Sequence, residues 1–180
     1  PYSTAAFKAS VMQEIDVAAA GGLRALVLTT GGKSEQYAMA LYPQVPEQAF
    51  IQLGDFIGVG VKQCAKRGNA RAIIVGKLSK RANGKMQTHA AGSDVDMAFL
   101  AALATELSAS DELVAAIRQA NTARHVLELC REAGLVGITS LICKKVVEQC
   151  QAHAGGTLAV ETYLVDFGGS LLGRYPEVQT

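Results

Sequence analysis

At 180 residues the chain suits one domain that can bury a core without disulfide or metal staples. Hydrophobic residues make up 49%, charged residues 18%, and the formal net charge is +1. These values exclude an intrinsically disordered chain and a nucleic-acid binder that works by bulk charge, so any electrostatic site has to be local.

In chain order, residues 3–20 place Phe7, Val11, Ile15 and Ala18 on one helical stripe, and Gly21-Gly22 ends the helix. "LRALVLTT", residues 23–30, is short, apolar and β-branched toward its end, as expected of a strand covered on both faces. Gly31-Gly32 follows, then a helix over 34–41. "AFIQLG" reads as a second strand, with Asp55 placed to cap a helix carrying Ile57, Val61, Cys64 and Ala65. Gly68 ends that helix, and "RAIIVG" is a third strand leading into "VGKLSKRANGKMQTHA".

Beyond Ser93 the pattern is helical, broken at "SASD", "NT" and "AGLVGIT", each of which offers a capping residue. "TLAVETYLV", residues 157–165, is a last strand, and "DFGGSLLGRYPEVQT" reads as a glycine-containing tail. Strands alternating with helices require crossovers and hence a parallel sheet. The expected fold is therefore a three-layer, Rossmann-like α/β domain over 1–180, with a mainly parallel sheet and a helical insertion before the last strand.

Cys64, Cys130, Cys143 and Cys150 all fall in helical patterns, with no C-x-x-C and no histidines at ligand spacing, so they read as reduced core residues and no metal site is expected. No apolar run reaches the roughly 18 residues needed to span a bilayer, and no basic start precedes an apolar signal core. A cytoplasmic protein without membrane or nucleic-acid partners follows as the expectation, with self-association possible.

In a parallel sheet, ligands bind beyond the carboxyl ends of the strands, where three loops carry chemistry. In "TTGGKSE", Gly31 and Gly32 let the backbone approach a ligand, and the next helix offers free N–H groups to an anion; a tight βα turn explains the pair equally well. In "QLGDFIG", Asp55 stands where an acidic residue can accept both hydroxyls of a nucleoside ribose, with helix capping as the plainer role. In the third loop, helical spacing of Lys77, Lys80 and Arg81 would put like charges on one face, where they repel unless an anion relieves them; a solvated face is the alternative. Lys85 adds a cation, Asn83-Gly84 a turn, and Gln87, Thr88 and His89 supply donors and acceptors that no apolar periodicity explains. His125 and His153 read as surface residues.

"STAAFKASVMQEIDVAAAGG", "LTTGGKSE", "QLGDFIG" and the long pattern G-K-L-x-K-x-A-x-G-x-M-Q-T-H, in this order, resemble the C-terminal two thirds or so of the cobalt-precorrin-5B C(1)-methyltransferase family. The match is specific over 3–90 and looser beyond. The resemblance implies methyl transfer from S-adenosylmethionine to ring carbon C1 of a cobalt-bearing, carboxylate-rich tetrapyrrole, giving cobalt-precorrin-6A in cobalamin biosynthesis. It also implies that Gly31, Gly32 and Asp55 hold the cosubstrate. Lys77, Lys80, Arg81, Lys85, Gln87 and Thr88 would then hold the macrocycle, and His89 would either orient it or take the proton lost after methylation. The family's N-terminal portion, rich in Gly, Thr and small residues, has no counterpart here. Pro1 therefore reads as the start of a fragment, and the competence of the isolated chain stays open. A non-catalytic α/β module binding a nucleotide or phosphorylated metabolite at Gly31-Gly32 is the competing reading.

Overall fold

The computed structural model describes residues 3–77, 96–166 and 168–177. A five-stranded sheet in the order β2-β1-β3-β4-β5 is built from β1 (Ala25–Thr29), β2 (Phe50–Gln52), β3 (Arg71–Lys77), β4 (Ala159–Val165) and β5 (Leu171–Tyr175). The first three pairings, β1 with β2, β1 with β3 and β3 with β4, are parallel; β5 runs antiparallel to β4. Seven helices are described: α1 (Thr4–Ala20), α2 (Gly32–Leu41), α3 (Ile57–Lys66), α4 (Met97–Glu106), α5 (Asp111–Gln119), α6 (Ala123–Glu132) and α7 (Ile138–His153).

The layers follow from side-chain alternation along the strands. Leu26, Leu28, Ala72, Ile74 and Val160 point to one face, where they pack with α1, α3 and α7 through Ile15, Val61, Cys64, Val147 and Cys150. Val27, Ile73, Val75, Tyr163 and Val165 point the other way, toward Ala38 of α2. A third cluster joins Leu100, Ile117, Val126 and Cys130 of α4–α6 to Ile142 and Cys143 of α7 and to Leu164. Helix α7 thus belongs to two cores, and the helical insertion leans on the sheet through it.

The caps explain most of the helix boundaries. Ser3, Asp96, Ser110 and Thr122 each accept a backbone N–H from the first turn of their helices. Two expectations change here. Helix α3 has Phe56, not Asp55, at its N-cap, so Asp55 stands one residue outside the cap. Helix α7 has Gly137 at its N-cap, in the left-handed conformation (φ 88°) that favours glycine, and no side-chain cap.

The tail is a further correction. Residues 171–175 form β5, and Gly173 lies so close to α7 that an added Cβ would sit 2.9 Å from Cβ and 3.1 Å from the backbone carbonyl carbon of Thr139. The four cysteines are buried and form no disulfide, and burial pushes the Cys64 thiol up to about 12. No helix among the described residues is long and apolar enough to cross a membrane.

Helices α1 and α3 are tied by Asp16, which accepts from Nε and Nη2 of Arg67 at 2.6 and 2.8 Å and from Gln63. The Arg67 hydrogen bond, then that of Gln63, holds the Asp16 carboxyl below its ordinary value. A depressed folded-state value stabilises fully above the unfolded-state value of about 3.9, and the stabilisation is lost as pH falls through the folded-state one. Asp16→Asn is expected to cost about 1 kcal/mol at pH 7, no more, because both side chains are a third or more exposed and solvent screens the pair. Denaturant titrations from pH 7 to pH 2 should show wild type and variant converging in acid. Gly173→Ala should cost about 1–3 kcal/mol in the same assay, since the backbone of α7 cannot yield as a flexible side chain would.

Candidate functional site

In the parallel register, Thr29 of β1 lies opposite Gln52 of β2 and Val75 of β3, so β1 and β2 end level and β3 runs two residues further, to Lys77. Their order places β1 between β2 and β3. The connection through α2 runs over one face and that through α3 over the other. Neighbouring strands whose connections leave in opposite directions open a crevice, and here it lies between the ends of β1 and β3.

The β1–α2 loop forms one lip. The Thr30 amide donates to Val75 O at 3.2 Å, the Ser34 hydroxyl donates to Gly31 O at 2.7 Å, and the Lys77 amide reaches Thr30 Oγ1 at 3.4 Å. This ties the loop to β3 through backbone and hydroxyl groups. Gly31 is extended (φ 165°) and provides no side-chain cap to α2. An added Cβ at Gly31 or Gly32 would meet nothing within 4 Å. Neither packing nor a left-handed turn accounts for these glycines. Thr29 Oγ1, on a residue with no exposed surface at the same strand end, has no hydrogen-bond partner among the described residues.

The β2–α3 turn forms a second lip. Leu53 N donates to Thr29 O at 2.7 Å and Phe56 N to Leu53 O at 3.0 Å, with Gly54 at positive φ (56°) making the reversal. Asp55 sits on this turn, partly buried, at the same edge as Gly31. Phe7 of α1 backs the turn, its ring 5.5 Å from that of Phe56.

Lys77 is the last residue of β3 and not the first of a helix, so the helical spacing expected from it does not begin there. It nonetheless stands at the shared edge. Of the sequence-derived candidates, the structure brings together Gly31, Gly32, Asp55 and Lys77. Lys80, Arg81, Lys85, Gln87, Thr88 and His89 lie outside the described residues. His125 is exposed, as expected, whereas His153 is half-buried at the end of α7, where burial, then Lys62, holds its pKa below the usual histidine value.

A cleft of about 280 Å³ adjoins Lys77 and includes residues that pattern reading missed: Arg124, Glu128 and Arg131 of α6, and Asp166 and Leu172 around the β4–β5 turn. Their signal was available, since 124, 127, 128 and 131 follow the spacing of a single helix face. A second groove, of about 450 Å³ and bordered by α1, α2 and β2, contains Glu14, Glu35 and Glu47 and is unsuited to an anionic ligand. Among the described residues no group of three or more His, Cys, Asp or Glu could hold a metal ion.

The family model described as "CbiD, C-terminal domain" matches residues 87–176. The chain is 50% identical over 177 residues to the cobalt-precorrin-5B C(1)-methyltransferase of Leptospira interrogans serogroup Icterohaemorrhagiae serovar copenhageni (strain Fiocruz L1-130), covering 97% of the chain and 48% of that relative. It is 45% identical over 177 residues to the protein of the same name from Geobacillus sp. (strain WCH70), covering 97% and 48%. It is 46% identical over 170 residues to that of Rubrobacter xylanophilus (strain DSM 9941 / JCM 11954 / NBRC 16129 / PRD-1), covering 93% and 44%. The chain therefore spans about half the length of these relatives, a smaller share than the two thirds expected from its motifs. No solved structure matches.

Proposed function

The chain belongs to the CbiD family, and from that premise we propose that it forms the cosubstrate-binding part, and one wall of the substrate site, of a cobalt-precorrin-5B C(1)-methyltransferase. The donor would be S-adenosylmethionine, whose sulfonium supplies both the methyl group and its leaving group. The protein has to hold ring carbon C1, methyl and sulfur in line and keep water away. The acceptor would be cobalt-precorrin-5B, whose metal belongs to the substrate, and the product cobalt-precorrin-6A.

The observation that carries this reading is the open pair Gly31-Gly32 at the switch point, free of any packing reason to be glycine. Backbone access for a ligand is the explanation that remains. The donor's carboxylate would lie against the uncapped first turn of α2, where free amides and the helix dipole favour negative charge. Asp55, one strand away, would accept the ribose hydroxyls. On the other side of the crevice, Lys77 would meet the substrate's acetates and propionates through charge-assisted hydrogen bonds, a role we also assign to Lys80, Arg81 and Lys85 from the sequence. Gln87 and Thr88 would orient the ring, and His89 would take the C1-side proton or hold the macrocycle.

Calorimetry with S-adenosylhomocysteine tests the cosubstrate site. Asp55→Asn should weaken binding by about 1–3 kcal/mol, as expected for hydrogen bonds lost from a charged acceptor. Gly32→Ala should leave the melting temperature unchanged or raise it, because alanine suits a helix better, while binding falls. A chain that ignores S-adenosylhomocysteine but is protected from heat by ATP or a sugar phosphate is instead a phosphate-binding module, which the uncapped α2 would also suit. In the full-length enzyme, replacing Lys80 and Arg81 by Gln should weaken tetrapyrrole binding and flatten its salt dependence, since screening acts over about 8 Å at physiological ionic strength. His89→Asn should slow methyl transfer with little change in substrate affinity if the imidazole is the base, and lower both if it orients the ring.

A further inference from the structure

Helix α6 carries two adjacent stripes, one buried and one largely exposed. Ala123, Val126 and Cys130 are buried in the helical core. The neighbouring stripe of Arg124, Leu127, Glu128 and Arg131 faces the cleft that Lys77, Asp166 and Leu172 close from the sheet side. Leu127 and Leu172, partly buried against the helical core, also line this cleft and set an apolar strip between its charges.

From this arrangement we infer that Arg124 and Arg131, with Lys77, hold two separate peripheral carboxylates of an acidic macrocycle, and that these arginines set which carboxylate pattern the protein accepts. The inference names residues for the substrate side of the reading above and rests on it for the identity of the macrocycle, though not for its chemistry. Arg124 and Arg131 are seven residues apart, roughly 10 Å along the helix axis. No single carboxylate spans that distance, so each guanidinium takes its own, and Leu127 between them offers apolar contact to the rim of the ring.

The cleft sets three cations, Lys77, Arg124 and Arg131, against two carboxylates, Glu128 and Asp166, so a net positive charge remains. Asp166 Oδ1 already accepts the Ser170 amide at 2.8 Å, within the turn that leads into β5. Glu128 pairs with Arg124 at 3.4 Å, but the side chains are 51% and 77% exposed. Such a surface i,i+4 pair is worth about 0.3–0.5 kcal/mol, so an incoming carboxylate can replace Glu128 at little cost. Arg131 is in the last turn of α6 and makes no ion pair with a described residue. A planar guanidinium there can grip one carboxylate with two N–H groups, which lysine cannot.

The test uses cobalt uroporphyrin, an octacarboxylate macrocycle, titrated by absorbance, with S-adenosylhomocysteine binding followed by calorimetry on the same preparations. Arg124→Gln and Arg131→Gln should each weaken porphyrin binding about fivefold to tenfold, just below the range for hydrogen bonds to charged groups because the cleft is open to solvent. Their combination should weaken it further and flatten its salt dependence. Arg131→Lys should recover part of the loss. S-adenosylhomocysteine affinity and melting temperature should not change. Arg118→Gln, at an exposed position of α5, is the charge control and should leave porphyrin binding intact. The inference is overturned if wild type does not bind the porphyrin, if the double variant binds like wild type, or if Arg118→Gln weakens binding as much as Arg131→Gln. Binding of porphyrin that depends on the two arginines, without any binding of S-adenosylhomocysteine, upholds the cleft and overturns the methyl-transfer reading instead.

Discussion

Thr29 O accepts the Leu53 amide at 2.7 Å while Thr29 itself lies in register with Val75, so the end of β1 is fastened to a strand on each side. Everything at the carboxyl edge inherits its position from that double pairing. A shift of β1 by one residue would exchange Leu26 and Leu28, packed against α1, α3 and α7, with Val27, packed against α2. Burial on both faces makes such a slip costly. Gly31, Asp55 and Lys77 therefore stay at one edge although the first and last are 46 positions apart in the chain. The chemistry proposed for them is positional, since a donor that carries its own leaving group needs alignment above all.

A second dependence runs through α7. Val146, Val147 and Cys150 fill the core under the sheet, and Ile138, Ile142 and Cys143 fill the core of the helical insertion. Lys145 adds a 3.2 Å ion pair to Glu106 of α4. The arginine stripe of α6 is therefore set relative to Lys77 by one continuous helix and the strand that follows it. Movement of α7 would change both walls of the cleft together.

How much of this was legible in the sequence depended on whether the cause was local. The strands around Leu28, Ile51 and Ile74 and the helices with period-3.6 stripes were visible because burial on defined faces writes itself into residue spacing. The common edge of Gly31, Asp55 and Lys77 followed from βαβ logic. Strand β5 was not visible: it is short, and its central Gly173 looks like a breaker until Thr139 of α7 is seen to press against it. Asp55 looked like a cap because aspartate favours that position, but the turn at Gly54 delays the helix to Ile57. The α6 stripe was readable as a pattern and still carried no weight, because charges at helical spacing are ordinary on a solvated face. Only the ends of β3 and β4 lying opposite make it one wall of a cleft.

The two outermost strands described are β2, three residues long, and β5, five. A strand edge is a row of open amides and carbonyls onto which another chain can crystallise its own strand, and shortness is the simplest protection against that. With three residues β2 offers almost no template, and the acidic side chains Glu14, Glu35 and Glu47 gather beside it. Sheet extension is thus discouraged on that flank by length and by charge, which favours solubility at high concentration. The two flanks of the sheet are therefore unequally protected, the five-residue β5 presenting the longer template.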